Sequence, residues 1–406
     1  MAQVNLTLDS EVLKGLFTAE GRDEAFAGLV SIILNQVLSA QASEQIGAEP
    51  YERSDERCTY RNGYRERELT TRVGKLRLMV PRLRNGEFST DLFQRYQRSE
   101  QALVLSMMEM VIQGVSTRKV RAITEELCGV SFSKSTVSAL CAALDPAVEA
   151  FRNRPLEKRY PFVMADAIFS KVREGGQVRS KGLMVALGVN EEGTREVLGF
   201  QCADTESETG WAGFFNALKE RGLAEVDLVI SDSHKGLVQA VRKCFQGTAW
   251  QRCQTHFSRN VLDACPNKLM PEMKEALRSL YEANDYKTAV IIRDRIAEQF
   301  LKSAPKAVKV LEEGFEDVIA VLSLPLSIRR RLRTTNGLER VNEELRRRER
   351  VIRIFPNEQS LIRLMGALLM EIHEAWQTGH VYLNLTEYLA QKTEPANDTV
   401  EISVAS

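Results

Sequence analysis

Two stretches of the sequence decide its fold class. Residues 160–166 read YPFVMAD and residues 227–232 read DLVISD, so each short apolar run ends at an aspartate. Further runs predict strands at 182–189, 196–200 and 250–253 and helices at 210–221 and 235–244. Continuous apolar runs are typical of strands that are buried on both faces. Strands that alternate with helices in this order predict an α/β fold.

Helical apolar spacing returns after the last of these strands. Residues 266–326 predict an all-helical insertion of three helices, which prolines separate from one another. The α/β domain would therefore consist of residues 158–265 and 327–380, closed by helices near 335–350 and 360–376. The remaining residues, 381–406, are expected to form an acidic tail.

The N-terminal part is predicted to be mainly helical. Helical spacing covers residues 22–46 and 101–113, while residues 69–83 alternate like a strand that Pro81 limits to an edge or an end. We expect residues 1–56 to form an N-terminal helical region, and residues 57–150, which hold a helix-turn-helix pattern at 116–144, to form a DNA-binding region.

A helix-turn-helix pattern covers residues 116–144. A short amphipathic helix at 118–127 is followed by a turn around Gly129 and by Ser133, a plausible N-cap for a second helix at 134–144. A plain helical hairpin gives the same pattern, so both interpretations stand. The second helix would expose small polar or basic side chains suited to phosphates and base edges: Lys134, Ser135 and Thr136.

Composition excludes several classes of protein. The chain has 406 residues, of which 44% are hydrophobic and 27% are charged, as in an ordinary globular protein and unlike a disordered one. No apolar run approaches the roughly 20 residues that a bilayer requires, and no secretory signal is evident. The seven cysteines are expected to be reduced thiols. We therefore expect a cytoplasmic protein with no membrane partner.

Charge is balanced overall but segregated along the chain. Lys+Arg and Asp+Glu each number 55. Nine basic residues nevertheless lie within 57–84, and ten arginines lie within 327–353. Two such zones indicate a polyanionic partner, although solvated faces balanced by acids elsewhere would look the same.

Three acids stand at positions suited to chemistry. Asp166 and Asp232 follow the first and fourth predicted strands of the α/β domain, and Glu339 lies in the first turns of the helix after the insertion. If these two strands are neighbours, the two aspartates lie side by side. Clustered carboxylates favour hard divalent cations, above all Mg²⁺. A pair of Mg²⁺ ions, for which Mn²⁺ can substitute, supports in-line phosphoryl transfer.

Long blocks of sequence then resemble one family. The blocks are RNGYRERELTTRVGKLRLMVPRLRNGEF (61–88), VMADAIFSKVRE (163–174), VISDSHKGL (229–237), WQRCQTHFSRN (250–260) and TTNGLERVNEELRRRERVIRIFP (334–356). In order and spacing they resemble the signature blocks of the mutator-type DDE transposases of bacterial insertion sequences. The resemblance extends from about residue 10 to about residue 390.

The resemblance implies a fold, a catalytic triad and a substrate. It implies a ribonuclease-H-like catalytic domain, interrupted by a helical insertion, with Asp166, Asp232 and Glu339 as catalytic and metal-binding residues. The substrates would be the terminal inverted repeats of the element and target DNA, and the protein would act as a homodimer or a larger oligomer. A catalytically silent DNA-binding regulator is the alternative, and a nuclease that cuts without joining is a third possibility.

The family's Cys-x-x-His element falls on Cys253 and His256. This spacing can be half of a zinc site, but a structural zinc requires four ligands and no second pair is nearby. A role beside the triad or in contact with DNA is favoured, and a structural role stays open. Arg252 and Arg259 flank the pair and could bind phosphates.

Other residues around the three acids have two interpretations each. Trp211 and Trp250 suit either base stacking or the core, and Asn336 suits a helix N-cap. His234 suits either a surface loop or the orientation of a substrate phosphate. Of the arginines that follow Glu339, about half would reach DNA while the rest pair with nearby glutamates: Arg346, Arg347, Arg348 and Arg350.

Overall fold

The chain folds as two compact units, residues 1–143 and 144–406. The computed structural model describes residues 22–53, 57–71, 73–84, 88–90, 101–128 and 131–393. The predicted turn at Gly129 lies outside these residues, as do Arg72 and positions 394–406 of the expected tail. The architecture is mixed α/β with a largely helical first unit, which confirms the predicted fold class at that level.

In the part of the first unit that the structure describes, a helix packs on a β-hairpin. Helix α1 (Arg22–Ile46) is followed by strands β1 (Arg61–Thr71) and β2 (Gly74–Leu83), which pair antiparallel. The prediction of one strand over 69–83 is therefore wrong, because Gly74, with φ of 108°, closes a turn inside it. Buried side chains join the helix to both strands: Leu38, Leu69, Leu76, Leu78 and Val80.

Residues 26–46 of α1 are long and apolar enough to span a membrane by length and composition, alone among the described residues. The sequence patterns do not predict such a segment. Asn35, in the middle of this segment, bonds the backbone of β2, accepting from Met79 N at 2.7 Å. Leu38, Ala42 and Ile46 are fully buried. Since these are the contacts of a helix packed on a hairpin, the segment is weak evidence for a membrane span.

Among the described residues of the first unit, three short helices follow the hairpin: α2 (Gln101–Ile112), α3 (Thr117–Cys128) and α4 (Lys134–Cys141). Ser133 caps α4, because its Oγ accepts a hydrogen bond from Thr136 N at 3.0 Å. Val120 and Val137 are buried, while the side chains at the start of α4 are exposed. Helix α4 is three residues shorter than predicted, because the chain continues as a 3₁₀ turn. Its contact with DNA stays a prediction.

The second unit is built on a five-stranded sheet. In chain order its strands are β3 (Phe162–Glu174), β4 (Gln177–Val189), β5 (Arg195–Ala203), β6 (Leu228–Ser231) and β7 (Ala249–Arg252). The spatial order is β5-β4-β3-β6-β7. Strands β3, β4 and β5 pair antiparallel, while β6 and β7 run parallel to β3.

The helices connected directly to the sheet are α5 (Asp145–Asn153), α6 (Glu208–Glu220) and α7 (Lys235–Cys244). Side chains of α6 and α7 share a core with one face of β3, which presents Val163 and Ala165. Because neighbours in a strand alternate in direction, Met164 and Asp166 face the opposite side.

Four of the helices between the second acid and the third form a layer of their own. They are α8 (Gln254–Asp263), α9 (Met270–Tyr281), α10 (Tyr286–Phe300) and α11 (Pro305–Ile319). They share their own apolar core, in which Phe257, Leu277, Phe300 and Phe315 are each no more than 1% exposed. A helical layer thus lies where the sequence places the insertion.

The chain returns to the sheet through its last four helices. These are α12 (Leu326–Leu332), α13 (Asn336–Ile352), α14 (Glu358–Gln377) and α15 (Thr386–Thr393). Residues 381–393, assigned from sequence to a tail, pack on the same unit, since Leu383 and Tyr388 are 3% and 4% exposed. Tyr388 Oη donates to Asp227 Oδ2 at 2.5 Å.

Candidate active site

Asp166 lies on β3, and Asp232 directly follows β6, the parallel neighbour of β3. Strand β3 pairs with β6 through Phe162↔Leu228 and Met164↔Ile230, and the same register continued by two residues sets Asp166 opposite Asp232. Neighbouring strands are about 4.8 Å apart, and side chains at one level point to the same face. The two carboxylates are therefore side by side, as the sequence predicted on the condition that these strands are neighbours.

The prediction that Asp166 follows its strand is wrong. Asp166 is the fifth residue of β3, which continues to Glu174 because β4 pairs with it along its whole length. Strand β6 ends at Ser231, so the β6 side of β3 is open beyond Met164. Asp166 lies where that edge of the sheet opens, and its carboxylate is accessible from there.

Helix α13 brings the third acid to the same place. Asn342, one turn beyond Glu339, donates from Nδ2 to Asp166 Oδ2 at 2.8 Å. Residues three apart on a helix share a face, so Glu339 faces the same region. Asn342 is only 7% exposed, and sequence reasoning missed it. Its spacing from Glu339 is the one signal that could have found it.

The start of α13 is attached to the end of β7 through Cys253. The Cys253 thiol is fully buried and accepts from Thr335 N at 3.4 Å and from Thr335 Oγ1 at 3.3 Å. Thr335 Oγ1 also lies 3.2 Å from Glu339 Oε1. Burial opposes ionisation of the thiol, but hydrogen bonds from His256 and Thr335 outweigh it and lower the pKa of Cys253 to about 7.

His256 lies among the acids. Its Nε2 is 3.9 Å from Glu339 Oε1, and its charge also acts on Asp166 and Asp232. The hydrogen bond to Cys253 is the main reason that the pKa of His256 is raised. Ligand atoms of Cys253, His256 and Glu339 lie within 4.8 Å of one another, a group of three that could hold a metal ion. A closed structural zinc site would require a fourth ligand.

A fourth carboxylate, absent from the sequence predictions, joins the cluster. Glu206 precedes α6, its side chain is 14% exposed, and Oε2 lies 3.4 Å from His234 Nδ1. His234 N in turn donates to Asp232 Oδ1 at 3.1 Å. Gly236 makes this approach possible, because a Cβ there would stand 2.4 Å from the Glu206 carbonyl oxygen.

The electrostatics of the cluster suit a cation. Burial raises the pKa of Asp166 to about 6, and the neighbouring Asp232 adds to the effect. Buried like charges destabilise one another unless a cation neutralises them. Asn342 Oδ1 is buried beside Asp166, and the described residues offer it no hydrogen-bond donor. An oxygen-rich set with an unpaired acceptor fits a hard divalent ion and its water.

The structure decides between the two interpretations of each tryptophan and shows which residue caps α13. Trp211 is fully buried, so the base-stacking interpretation is wrong for it. Trp250 is partly buried and donates from Nε1 to Ser231 Oγ at 2.9 Å, as expected of a core residue. Asn336 is the first residue of α13 and is exposed, so Thr335 holds the N-cap position instead.

The predicted phosphate-binding arginines divide by exposure. Arg252 is half-buried with its guanidinium 4.8 Å from the centre of the Phe257 ring, which favours a packing role. Arg348 fits the alternative of pairing with a glutamate, since its side chain is only 8% exposed and lies 3.8 Å from Glu344. The others are exposed, as a phosphate contact requires: Arg259, Arg346 and Arg347.

The sheet, its paired aspartates and the acid on α13 define an α/β protein with an acidic site suited to a divalent cation. The sequence profile of the family described as "Transposase, Mutator family" matches residues 1–379. The chain belongs to this family of transposases.

Relatives with names agree with this assignment. The chain is 45% identical over 388 residues to the "Transposase for insertion sequence element IS256 in transposon Tn4001" of Staphylococcus aureus, covering 95% of this chain and 99% of the relative. It is 44% identical over 364 residues to the transposase for ISRM5 of Rhizobium meliloti, covering 90% and 92%. It is 40% identical over 380 residues to the transposase for IS1081 of Mycobacterium tuberculosis, covering 93% and 92%.

Proposed function

We propose that this transposase cuts and joins DNA through Asp166, Asp232 and Glu339, on a ribonuclease-H-like fold. The observation that carries the proposal is a pair of partly buried aspartates, one on β3 and one directly after its parallel neighbour β6. The sheet supports it, with three antiparallel strands followed by two parallel ones on the far side of the first. The bond from Asn342 to Asp166, which brings α13 against this strand, supports Glu339 as the third member.

The three carboxylates would hold two divalent cations, Mg²⁺ or in its place Mn²⁺. When bound, such ions lower the pKa of a water or hydroxyl and stabilise the leaving oxygen of an in-line displacement. The family suggests a divalent metal, and the acidic cluster with its unpaired Asn342 oxygen fits one.

The chain's own residues position the reacting groups. Asn342 holds one oxygen of Asp166, and the Ala167 N–H donates to the other at 2.8 Å, so the carboxylate plane is fixed. Cys253 anchors Thr335 and therefore the first turn of α13, which sets the depth of Glu339. Fixed geometry of this kind supplies a large part of phosphoryl-transfer catalysis.

The reaction would proceed in two steps of the same type. Water first attacks a phosphodiester at the end of the element, which breaks the P–O bond and frees a 3′-hydroxyl. That hydroxyl then attacks a phosphodiester of target DNA, joining the element to it and releasing the target's own 3′-oxygen. Helices α3 and α4 of the first unit would read the inverted repeats through Lys134, Ser135 and Thr136. Two ends would be held by a homodimer or larger assembly.

A cleavage and strand-transfer assay tests the proposal. Purified protein would be mixed with labelled DNA that carries the repeats flanking its gene, with Mg²⁺ or with EDTA. The variants are Asp166→Asn and, as a matched control, Asp263→Asn, which removes an exposed carboxylate on α8. We expect metal-dependent nicking and joined product, both abolished by Asp166→Asn and both kept by Asp263→Asn.

Other outcomes would sink the proposal in distinguishable ways. Joining that survives Asp166→Asn would mean that the active site lies elsewhere. Tight binding of the repeats without cutting at any metal concentration would favour a DNA-binding regulator. Cutting without joining would indicate a nuclease.

A further inference from the structure

Three arginines from three elements of the second unit form a cluster, in which Arg195 and Arg331 lie against one aromatic ring and the charge of Arg340 acts on Arg195. Arg195 begins β5, Arg331 lies on α12 and Arg340 follows Glu339 on α13. The Arg195 guanidinium lies 4.2 Å from the centres of both the Trp376 and the Tyr382 rings. The Arg331 guanidinium lies 5.0 Å from the Tyr382 ring, so one aromatic ring lies against two cations.

The cluster has no anionic partner in the part of the chain that the structure describes. No carboxylate of those residues lies within 4 Å of the nitrogens of Arg195, Arg331 or Arg340, although the chain has as many acids as bases. Burial lowers the pKa of Arg195, and the charges of Arg331 and Arg340 lower it further. Like charges held together in this way are relieved by a bound anion.

The cluster is held in place by the chain segment after α14. Tyr382 N and Leu383 N both donate to the carbonyl oxygen of Gly193, at 2.9 and 3.0 Å. Gly193 has φ of 77°, and a Cβ there would stand 1.8 Å from Leu383 O. The segment therefore fits closely over the turn before β5, and the position of the Tyr382 ring against Arg195 is fixed.

The cluster also lies next to the triad. Gly337, two residues before Glu339, has three side-chain atoms within 4 Å of where its Cβ would stand: Tyr382 Oη at 3.5 Å, Met164 Sδ at 3.6 Å and Arg195 Nη1 at 3.7 Å. Met164 precedes Asp166 by two residues on the same face of β3, a distance of about 6.6 Å along the strand. A strand of DNA bound at the acids would pass within reach of these guanidinium groups.

We infer that Arg195, Arg331 and Arg340 form a binding site for the phosphodiester backbone of the DNA strand that enters the acidic site. One guanidinium group can donate two parallel hydrogen bonds to the oxygens of one phosphate. Such contacts position a duplex without reading its sequence. Stacking between two rings orders Arg195 before the ligand arrives, which reduces the entropy lost on binding. The inference rests on the proposed function for the identity of the polyanion.

Salt-dependent DNA binding tests the site. Affinity would be measured by fluorescence anisotropy in EDTA, between 50 and 300 mM salt, for the wild type, Arg331→Gln/Arg340→Gln and Arg278→Gln. Arg331 and Arg340 are exposed, so the double variant is expected to fold. Arg278→Gln removes one positive charge from an exposed side chain of α9 and is the control. Two probes would be used, a repeat-end duplex and an unrelated duplex.

Each phosphate that the protein no longer neutralises makes the slope of log K against log[salt] shallower by about 0.9. At 0.15 M salt this change corresponds to a decrease in affinity of about 5-fold. We expect at least this decrease in the double variant on both duplexes, and none in Arg278→Gln. Wild-type slope and affinity in the double variant would overturn the inference. So would a change of oligomeric state without DNA, which would make the cluster an interface between copies.

A spectroscopic readout separates this inference from the catalytic proposal. DNA bound at the cluster should change the fluorescence of Trp376, and Trp376→Phe should remove the change. Such a signal with no cutting in Mg²⁺ would leave the phosphate site standing while the catalytic proposal fails. Normal cutting, with no signal and no change of slope in the double variant, would refute the phosphate site alone.

Discussion

Replacement of Asn342 by alanine is the sharpest test of how the three acids are held together. The Asn342 amide donates to Asp166 Oδ2 at 2.8 Å from a side chain that is 7% exposed. It links α13 directly to the carboxylate of the first acid on β3. Its removal leaves Asp166, Asp232 and Glu339 chemically intact and takes away only their alignment.

The expected size of the effect follows from the type of bond. A hydrogen bond to a charged group is worth about 1.5–3 kcal/mol, and each 1.4 kcal/mol corresponds to a tenfold change in rate. We therefore expect Asn342→Ala to lower the rate of repeat-end cleavage by about 10- to 100-fold. DNA affinity should stay within about twofold of the wild type, because Asn342 is too deeply buried to contact a duplex.

The assay is single-turnover cleavage across a Mg²⁺ titration, with Asn336→Ala as the control. Asn336 is an exposed asparagine on the same helix, so its loss should leave both the rate and the Mg²⁺ dependence unchanged. A positioning role requires the half-saturating Mg²⁺ concentration to rise in Asn342→Ala, which simple destabilisation would not cause. A wild-type rate and Mg²⁺ dependence in Asn342→Ala would refute the reasoning.

Three further predictions concern stability and are measured by urea or thermal unfolding. Gly193→Ala should lower the free energy of unfolding by about 1–2 kcal/mol because of its left-handed backbone, and by more because the new Cβ clashes with Leu383. The control is Gly175→Ala, where φ is 55° and the space around the residue is open, so only the backbone cost is expected. Equal losses in the two variants would mean that the clash at Gly193 is relieved without cost. Cys253→Ala should cost about 1–3 kcal/mol, since it leaves a buried backbone N–H without an acceptor, and an unchanged midpoint would contradict the anchoring role. Burial lowers the pKa of His373 to about 4. Between about pH 6.5 and pH 4 this histidine is therefore protonated in the unfolded chain but neutral in the folded one. The free energy of unfolding should fall as the pH drops through this range, by at most about 1.4 kcal/mol per pH unit. His373→Phe should flatten that decline, and an identical pH profile in the variant would show that other groups cause it.

Local patterns predicted the elements, and tertiary pairing decided their lengths. The apolar run before Asp166 ends at the aspartate, but β3 continues because its partner β4 extends equally far. The strand expected at 69–83 is a hairpin, since Gly74 turns the chain where alternation alone continues. Neither the partner strand nor the backbone angle is visible in periodicity.

In the candidate site, too, sequence motifs identified some residues, while others became evident only from tertiary contacts. Spacing from known motifs selected the three acids and Cys253, and these residues converge around the open edge of β3. Asn342 was missed because its partner is 176 residues away, and Glu206 because it lies in a loop without a motif. Arg348 lies in a run of arginines, yet the face of α13 that it occupies is buried. Composition gives the charge of such a run, and only packing shows which members face water.

The attachment of residues 381–385 over the turn at Gly193 has a consequence for the gene. A stop codon after residue 380 would leave every acid of the triad in the polypeptide but remove Tyr382, and with it one of the two rings against Arg195. Such a copy would keep its acidic signature, but on the inferred phosphate site it would bind the nucleic acid less tightly. On the proposed function, the reading frame would therefore have to extend past the codon for Glu339 and through that for Tyr382 before the product is competent.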